Sequence, residues 1–185
     1  MKEGRKIPKK YENPYNNIIL EICEYISPTI YKLNITPNII TTIGVICTIL
    51  SIYKFCHNQK YQAAIFWYLQ YFFDCLDGYI ARKYNMETEF GDYYDHITDV
   101  LGYLSISYLF YCYQFSNLAL SIFLLFTILT ILQTTKYETI VKNKSTTISS
   151  LSFLQDYVPN IDLHYYKYIG DGTLQLVIII LILLK

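Results

Sequence analysis

Between Asp74 and Asp99 the chain reads DCLDGYIARKYNMETEFGDYYDHITD, and this stretch joins the end of one long apolar run to the start of the next. Asp74, Asp77, Asp95 and Asp99 thereby put four carboxylates into the end of one apolar helix and the start of the next, within 26 residues. A charge at membrane depth costs roughly 2.5–3.5 kcal/mol on insertion scales. Such charges persist where they bind cations or line a reaction site, so the spacing points to a metal cluster inside a helical bundle.

The remaining composition agrees with a membrane setting. The chain has 185 residues, 53% hydrophobic and 17% aromatic, with zero formal net charge. That length suggests one domain. The apolar residues occur in long runs, which points to an integral membrane protein rather than a soluble core. The balanced charge gives no reason to expect a nucleic-acid partner. Cys23, Cys47, Cys56, Cys75 and Cys112 are scattered and form no CxxC pair, so they read as small buried hydrophobes rather than a zinc site or disulfide framework.

Residues 1–16 form a basic tail with Lys2, Arg5, Lys6, Lys9 and Lys10, and residues 17–185 form the membrane domain. The tail has no apolar core, so no cleavable signal peptide is expected. From Asn17 to Leu33, Ile18, Ile19, Ile22, Ile26, Ile30 and Leu33 recur at near-helical spacing, with Glu21 and Glu24 largely on the other side. This predicts an amphipathic helix lying in the membrane interface; the alternative is a helix packed on protein. Spans are then expected at Asn38–Phe55, Tyr61–Arg82, Asp92–Tyr113, Asn117–Thr135 and Gly172–Leu184. The last run is short for roughly 30 Å of hydrocarbon and would need Tyr165 to Asp171 to reach that length. A sixth, cryptic span would lie between Ser145 and Ile169. The expected fold is therefore all-α: a polytopic membrane helix bundle of five or six spans with an N-terminal amphipathic interfacial helix.

The metal-ligating pattern has a definite chemistry. Asp74 and Asp77 are three apart, and Gly78 and Ala81 continue the same helix face; Asp95 and Asp99 are one turn apart, with Gly91 a turn earlier. Two helices presenting such carboxylates inward would hold two hard divalent cations, and oxygen ligands suit Mg²⁺ or Mn²⁺. Small residues at Gly78, Ala81 and Gly91 leave room for a ligand or a neighbouring helix. Arg82 supplies a fixed, planar cation suited to phosphate oxygens. Together these describe a pyrophosphate site and displacement at phosphorus.

The pattern Asp-x2-Asp-Gly-x2-Ala-Arg-x8-Gly-x3-Asp-x3-Asp, supplied by Asp74, Asp77, Gly78, Ala81, Arg82, Gly91, Asp95 and Asp99, resembles the signature of the CDP-alcohol phosphatidyltransferases. The resemblance implies a membrane phosphotransferase of phospholipid biosynthesis. Such an enzyme moves a phosphatidyl or phosphoalcohol group from a CDP-linked donor to a hydroxyl acceptor and releases CMP. It implies Asp74, Asp77 and Asp95 as metal ligands, and Asp99 as both a metal contact and the base on the acceptor hydroxyl. Arg82 would hold donor phosphate, and Gly78 and Ala81 would line the CDP pocket. Thr36-Pro37-Asn38-Ile39-Ile40-Thr41 is similar to the start of the family's first span, which makes Asn38 and Thr41 candidates to meet ribose or phosphate; equally, Pro37 at the first turn reads as an ordinary helix start. The family core has six spans where five stand out here.

Two donor branches stay open: CDP-diacylglycerol with a polar alcohol acceptor, and CDP-choline or CDP-ethanolamine with a lipid acceptor. Membrane lipids and a second copy of the chain complete the expected partners. His96 and Asp92 read as packing and helix-start residues respectively, and Lys136, Lys142 and Lys144 as a topology signal. An alternative from another class is a divalent-cation transporter using the same carboxylates; Arg82 argues against it, because a fixed cation repels the cargo.

The basic clusters at the N-terminus, at Arg82–Lys83 and at Lys136–Lys144 all fall on one side of the expected spans, which the positive-inside rule makes cytoplasmic, together with the acidic cluster. A Lys60→Cys variant lacking the native cysteines is therefore expected to react with an impermeant thiol reagent only from the non-cytoplasmic face. Labelling from the cytoplasm would reverse the orientation.

Overall fold

A computed structural model describes residues 4–141, 165 and 167–185. Among the described residues all regular structure is helical: α1 Pro14–Lys32, α2 Pro37–Cys56, α3 Lys60–Lys83, α4 Glu89–Cys112, α5 Asn117–Val141 and α6 Asp171–Leu184. A 3-10 turn, Lys167–Ile169, leads into α6. With that turn the segment Lys167–Leu184 is long and apolar enough to cross a membrane, as is Pro37–Cys56. The turn supplies the length that the apolar run from Gly172 lacks by itself. Helices α3 and α4 have 24 residues each, enough to cross roughly 30 Å, but they carry the aspartates and are not apolar throughout. Lys142 and Lys144 lie outside the described residues, as does most of the Ser145–Ile169 stretch.

Four successive connections use the same chain reversal. Each of the first four helices is followed by a residue at positive φ: Asn34, Asn58, Asn85 and Gln114, with φ of 55°, 59°, 53° and 51°. The next N–H then reaches back across the helix end, as in Ile35 N–H to the Ile30 carbonyl at 3.3 Å and Met86 N–H to the Ala81 carbonyl at 2.8 Å. This closes carbonyls that the helix itself leaves open. Asparagine tolerates the left-handed region better than most residues, which accounts for its place at three of these sites.

Helix α3 is the centre of the bundle: α1, α2 and α6 pack on it, α4 packs on α2, and α5 on α6. Inside α2 and α3, Ser51 Oγ donates to the Ala63 carbonyl at 2.8 Å, so a polar group is satisfied where the helices touch. Two apolar clusters form. One holds Phe55, Ala63, Trp67, Ile106, Phe110, Phe123 and Ile178. The other holds Ile19, Leu20, Cys23, Ile40, Tyr71, Leu76 and Ile80, where α1 docks on α3. Helix α1 buries Ile19, Leu20, Cys23 and Ser27 against protein, while Ile18, Ile22 and Leu33 from its expected apolar stripe stay exposed. It therefore carries one apolar face against the bundle and a second one turned outward.

Gln114 is the least suited of the four left-handed residues, since its longer side chain cannot bond its own backbone as compactly as asparagine does. Gln114→Gly is expected to stabilise the fold by up to about 1 kcal/mol. Thermal unfolding in detergent, followed by emission from the single, buried Trp67, would register this as a higher Tm.

Candidate active site

The site is built from the last turns of α3, the first turns of α4 and the start of α2. Thr88 caps α4, accepting the Gly91 N–H on Oγ1 at 3.0 Å, and α4 then runs straight through Asp95 and Asp99. Three carboxylate oxygens, one each from Asp74, Asp95 and Asp99, lie within 4.8 Å of one another. Asp77, one turn further along α3, is buried with 3% exposure. Thr41 Oγ1 lies 2.6 Å from Asp77 Oδ2 and 3.1 Å from the Pro37 carbonyl. The hydroxyl has one proton, and the shorter, charge-assisted bond to the carboxylate takes it. Carboxylates from two consecutive helices thus converge, and an all-oxygen donor set of this size suits a hard divalent cation.

Two cavities meet at these carboxylates. The first, of about 380 Å³, is bordered by Asn38, Thr41, Asp77, Gly78, Ala81, Arg82, Gly91, Asp92 and Asp95. Every small or polar residue singled out from sequence beside the aspartates therefore lines one space. The second, of about 230 Å³, runs deeper between α2, α3 and α4, past Asp74, Asp99, Thr48, Gln70 and Ser105 and an apolar wall that includes Val45, Ile49, Ile52 and Leu101. Thr41, Asp77 and Asp95 border both. Within the second cavity the Gln70 Oε1 is buried without a hydrogen-bond partner.

Two glycines explain the close approach around the first cavity. A Cβ on Gly91 would stand 2.9 Å from Thr88 Oγ1 and 3.0 Å from Asn38 Oδ1, so a side chain there would disturb the cap and displace the Asn38 amide. A Cβ on Gly78 would stand 3.0 Å from Arg82 Nη1 and would displace the guanidinium. Arg82 is further fixed by donating from Nε to the Gly4 carbonyl at 2.8 Å, which leaves its remaining N–H donors for other acceptors.

The N-terminal segment is tied to the bundle as well. Arg5 donates to Asn17 Oδ1 at 2.7 Å and Lys9 to Glu21 at 2.5 Å. Burial pushes the Glu12 carboxyl above its usual range, partly offset by the Asn13 N–H and the Asn16 amide that bond it. His96 turns its Nδ1 back to the Asp92 carbonyl at 2.6 Å, within its own helix. Sequence reading passed over Asp171, at the start of α6, whose Oδ1 accepts from Tyr103 at 3.1 Å. The available signal was a single acidic residue opening an otherwise apolar terminal run.

A family model described as CDP-alcohol phosphatidyltransferase matches residues 34–185. An archaetidylinositol phosphate synthase of Pyrococcus horikoshii is 37% identical over 83 residues, 45% of this chain and 44% of that protein. A CDP-diacylglycerol–inositol 3-phosphatidyltransferase of Candida albicans is 35% identical over 78 residues, 39% of this chain and 34% of that protein. The chain thus matches less than half the length of either relative. No solved structure matches it.

Thr41→Val keeps the shape of the side chain but leaves Asp77 without its hydroxyl donor. It is expected to lower stability by about 1–3 kcal/mol, whereas Thr41→Ser, which keeps the hydroxyl, should lie close to the parent in the same melting experiment.

Proposed function

The chain belongs to the CDP-alcohol phosphatidyltransferase family, and from that premise we propose that it is a membrane-embedded transferase moving a substituted phosphate from a CDP-linked donor to a hydroxyl acceptor. The observation that carries this reading is the convergence of Asp74, Asp95 and Asp99 oxygens within 4.8 Å beside a cavity edged by Arg82.

In this reading Asp74, Asp77, Asp95 and Asp99 hold two divalent cations, Mg²⁺ or Mn²⁺. When bound, these neutralise the diphosphate and its leaving group. Arg82 holds donor phosphate, with its guanidinium aimed by Gly78 and Gly4. Gly78, Ala81, Gly91 and Asn38 shape the pocket for the CDP moiety. Asp99 takes the proton of the acceptor hydroxyl as that oxygen attacks the phosphorus of the transferred group. The bond from this phosphorus to the bridging oxygen of the diphosphate then breaks, and CMP leaves. Thr41 keeps the Asp77 carboxylate oriented.

For the substrates, the relatives' names both point to inositol-containing products or acceptors. We favour a lipid-linked CDP donor and an inositol-type acceptor. The deeper cavity, with its apolar wall of α2 and α4 residues, fits a donor that carries hydrocarbon. The basic clusters support an active site on the cytoplasmic side of a multi-pass bundle. The cation-transport alternative finds no support in either relative, and Arg82 beside the carboxylates opposes it.

Membranes containing the chain, given CDP-diacylglycerol and labelled inositol or inositol phosphate, are expected to release CMP and form labelled lipid. Asp99→Asn should reduce turnover by at least about 100-fold, the range of general-base contributions, with the fold retained. Asp74→Asn and Asp95→Asn should raise the metal concentration needed for half-maximal rate. Full activity in excess chelator would rule out the metal-dependent reading, and CMP release from CDP-choline alone would move the donor to the other branch.

A further inference from the structure

The last helix brings a fifth carboxylate toward the cluster, and the hydrogen bonds around it run in one direction. Trp67 Nε1 is a donor only, and it donates to Gln175 Oε1 at 2.8 Å. This fixes the orientation of the Gln175 amide, so its Nε2 donates to the Tyr103 oxygen at 2.8 Å. Tyr103 is then left to donate its own proton to Asp171 Oδ1 at 3.1 Å. Trp67 and Gln175 are 2% and 3% exposed, so water does not compete for these bonds. Tyr71, on the neighbouring α3, gives its hydroxyl proton to Asn16 Oδ1, so the Asp171 carboxylate takes its bond from Tyr103. The three bonds thus run in one direction, from Trp67 through Gln175 and Tyr103 to the Asp171 carboxylate, and the last one offsets part of the cost of a charge there.

The place of this anion is specific. Tyr103 lies one turn beyond Asp99 on α4, and Tyr71 lies about one turn before Asp74 on α3. Through Tyr103 the Asp171 carboxylate is joined to α4 one turn from Asp99, so a further negative charge would stand near the cluster. Hydrogen bonds from neutral side chains can hold one such charge, but they do not offset the repulsion among several. A cation among them does.

We propose that Asp171 is a positioning residue of the divalent-cation site: from α6 it adds negative charge to the field that Asp74 and Asp99 set up for the cations, while its bond to Tyr103 keeps α6 and α4 in register. This rests on the cation site of the transferase reading but not on its substrates.

Mn²⁺ binding by the purified, full-length chain in detergent, without any CDP compound, tests it through the electron paramagnetic resonance signal of free Mn²⁺. Asp171→Asn keeps an acceptor for Tyr103 and removes the charge. It is expected to weaken Mn²⁺ binding by roughly tenfold or more, the range found for residues behind metal ligands, with helicity by circular dichroism unchanged. Tyr103→Phe keeps the charge and should weaken binding much less while lowering Tm. Asp171→Ser, compatible with a first helical turn, gives the same reading if the asparagine variant does not fold. Folded Asp171 variants that bind Mn²⁺ as the parent does would overturn the proposal and leave the transferase reading intact. A parent that fails to bind Mn²⁺ would instead overturn the cation site itself.

Discussion

Repulsion among carboxylates in a low-dielectric bundle is the constraint around which this molecule is arranged. Asp74, Asp95 and Asp99 converge from α3 and α4, and Asp77 is buried beside them. No gain in packing compensates for such crowding, because apolar residues at the same positions would satisfy the bundle better. The arrangement is sustained by what surrounds it. One apolar cluster holds α3 to α4, α5 and α6, and another holds α3 to α1 and α2. Donors such as Thr41 hold individual oxygens in place. Divalent cations supply the remaining compensation in the reading adopted above.

The helix connections and the N-terminal segment serve that arrangement. Four tight reversals with a left-handed residue turn the chain between consecutive helices, and the packing of α2 on both α3 and α4 brings the ends of these three to one mouth. The N-terminal segment then reaches across, and the Gly4 carbonyl takes one donor of Arg82. An arginine held in this way loses less entropy on binding phosphate than one free to rotate. The tail, which by composition looked like a polar extension, is a structural part of the mouth.

The two cavities give the site a physical logic. One is polar, edged by Arg82, Gly78 and the start of α2; the other has an apolar wall at greater depth. They share Thr41, Asp77 and Asp95, so in the transferase reading proposed above the carboxylates would lie where a charged diphosphate and a hydrocarbon-bearing group meet. A transferase whose substrates belong partly to water and partly to lipid needs such a junction, and a cation pathway does not.

Local pattern alone determined much of this protein. The spacing of the aspartates, glycines and Arg82 fixed the facing of each helix, since helical period is a local property and charges in apolar runs must turn inward. Helix order and most boundaries followed from apolar runs and from Pro37 at a first turn, whereas the left-handed asparagines at the helix ends emerged only from the structure. Other features depended on tertiary structure because they join residues distant in sequence. Among these are the Thr41 hydroxyl bound to Asp77 across 36 positions and the Arg82 guanidinium bound to Gly4 across 78. Asp171 was invisible as part of the site for the same reason: a lone acidic residue opening an apolar run has no periodic partner, and only the packing of α6 on α3 brings it to Tyr103 and the cluster.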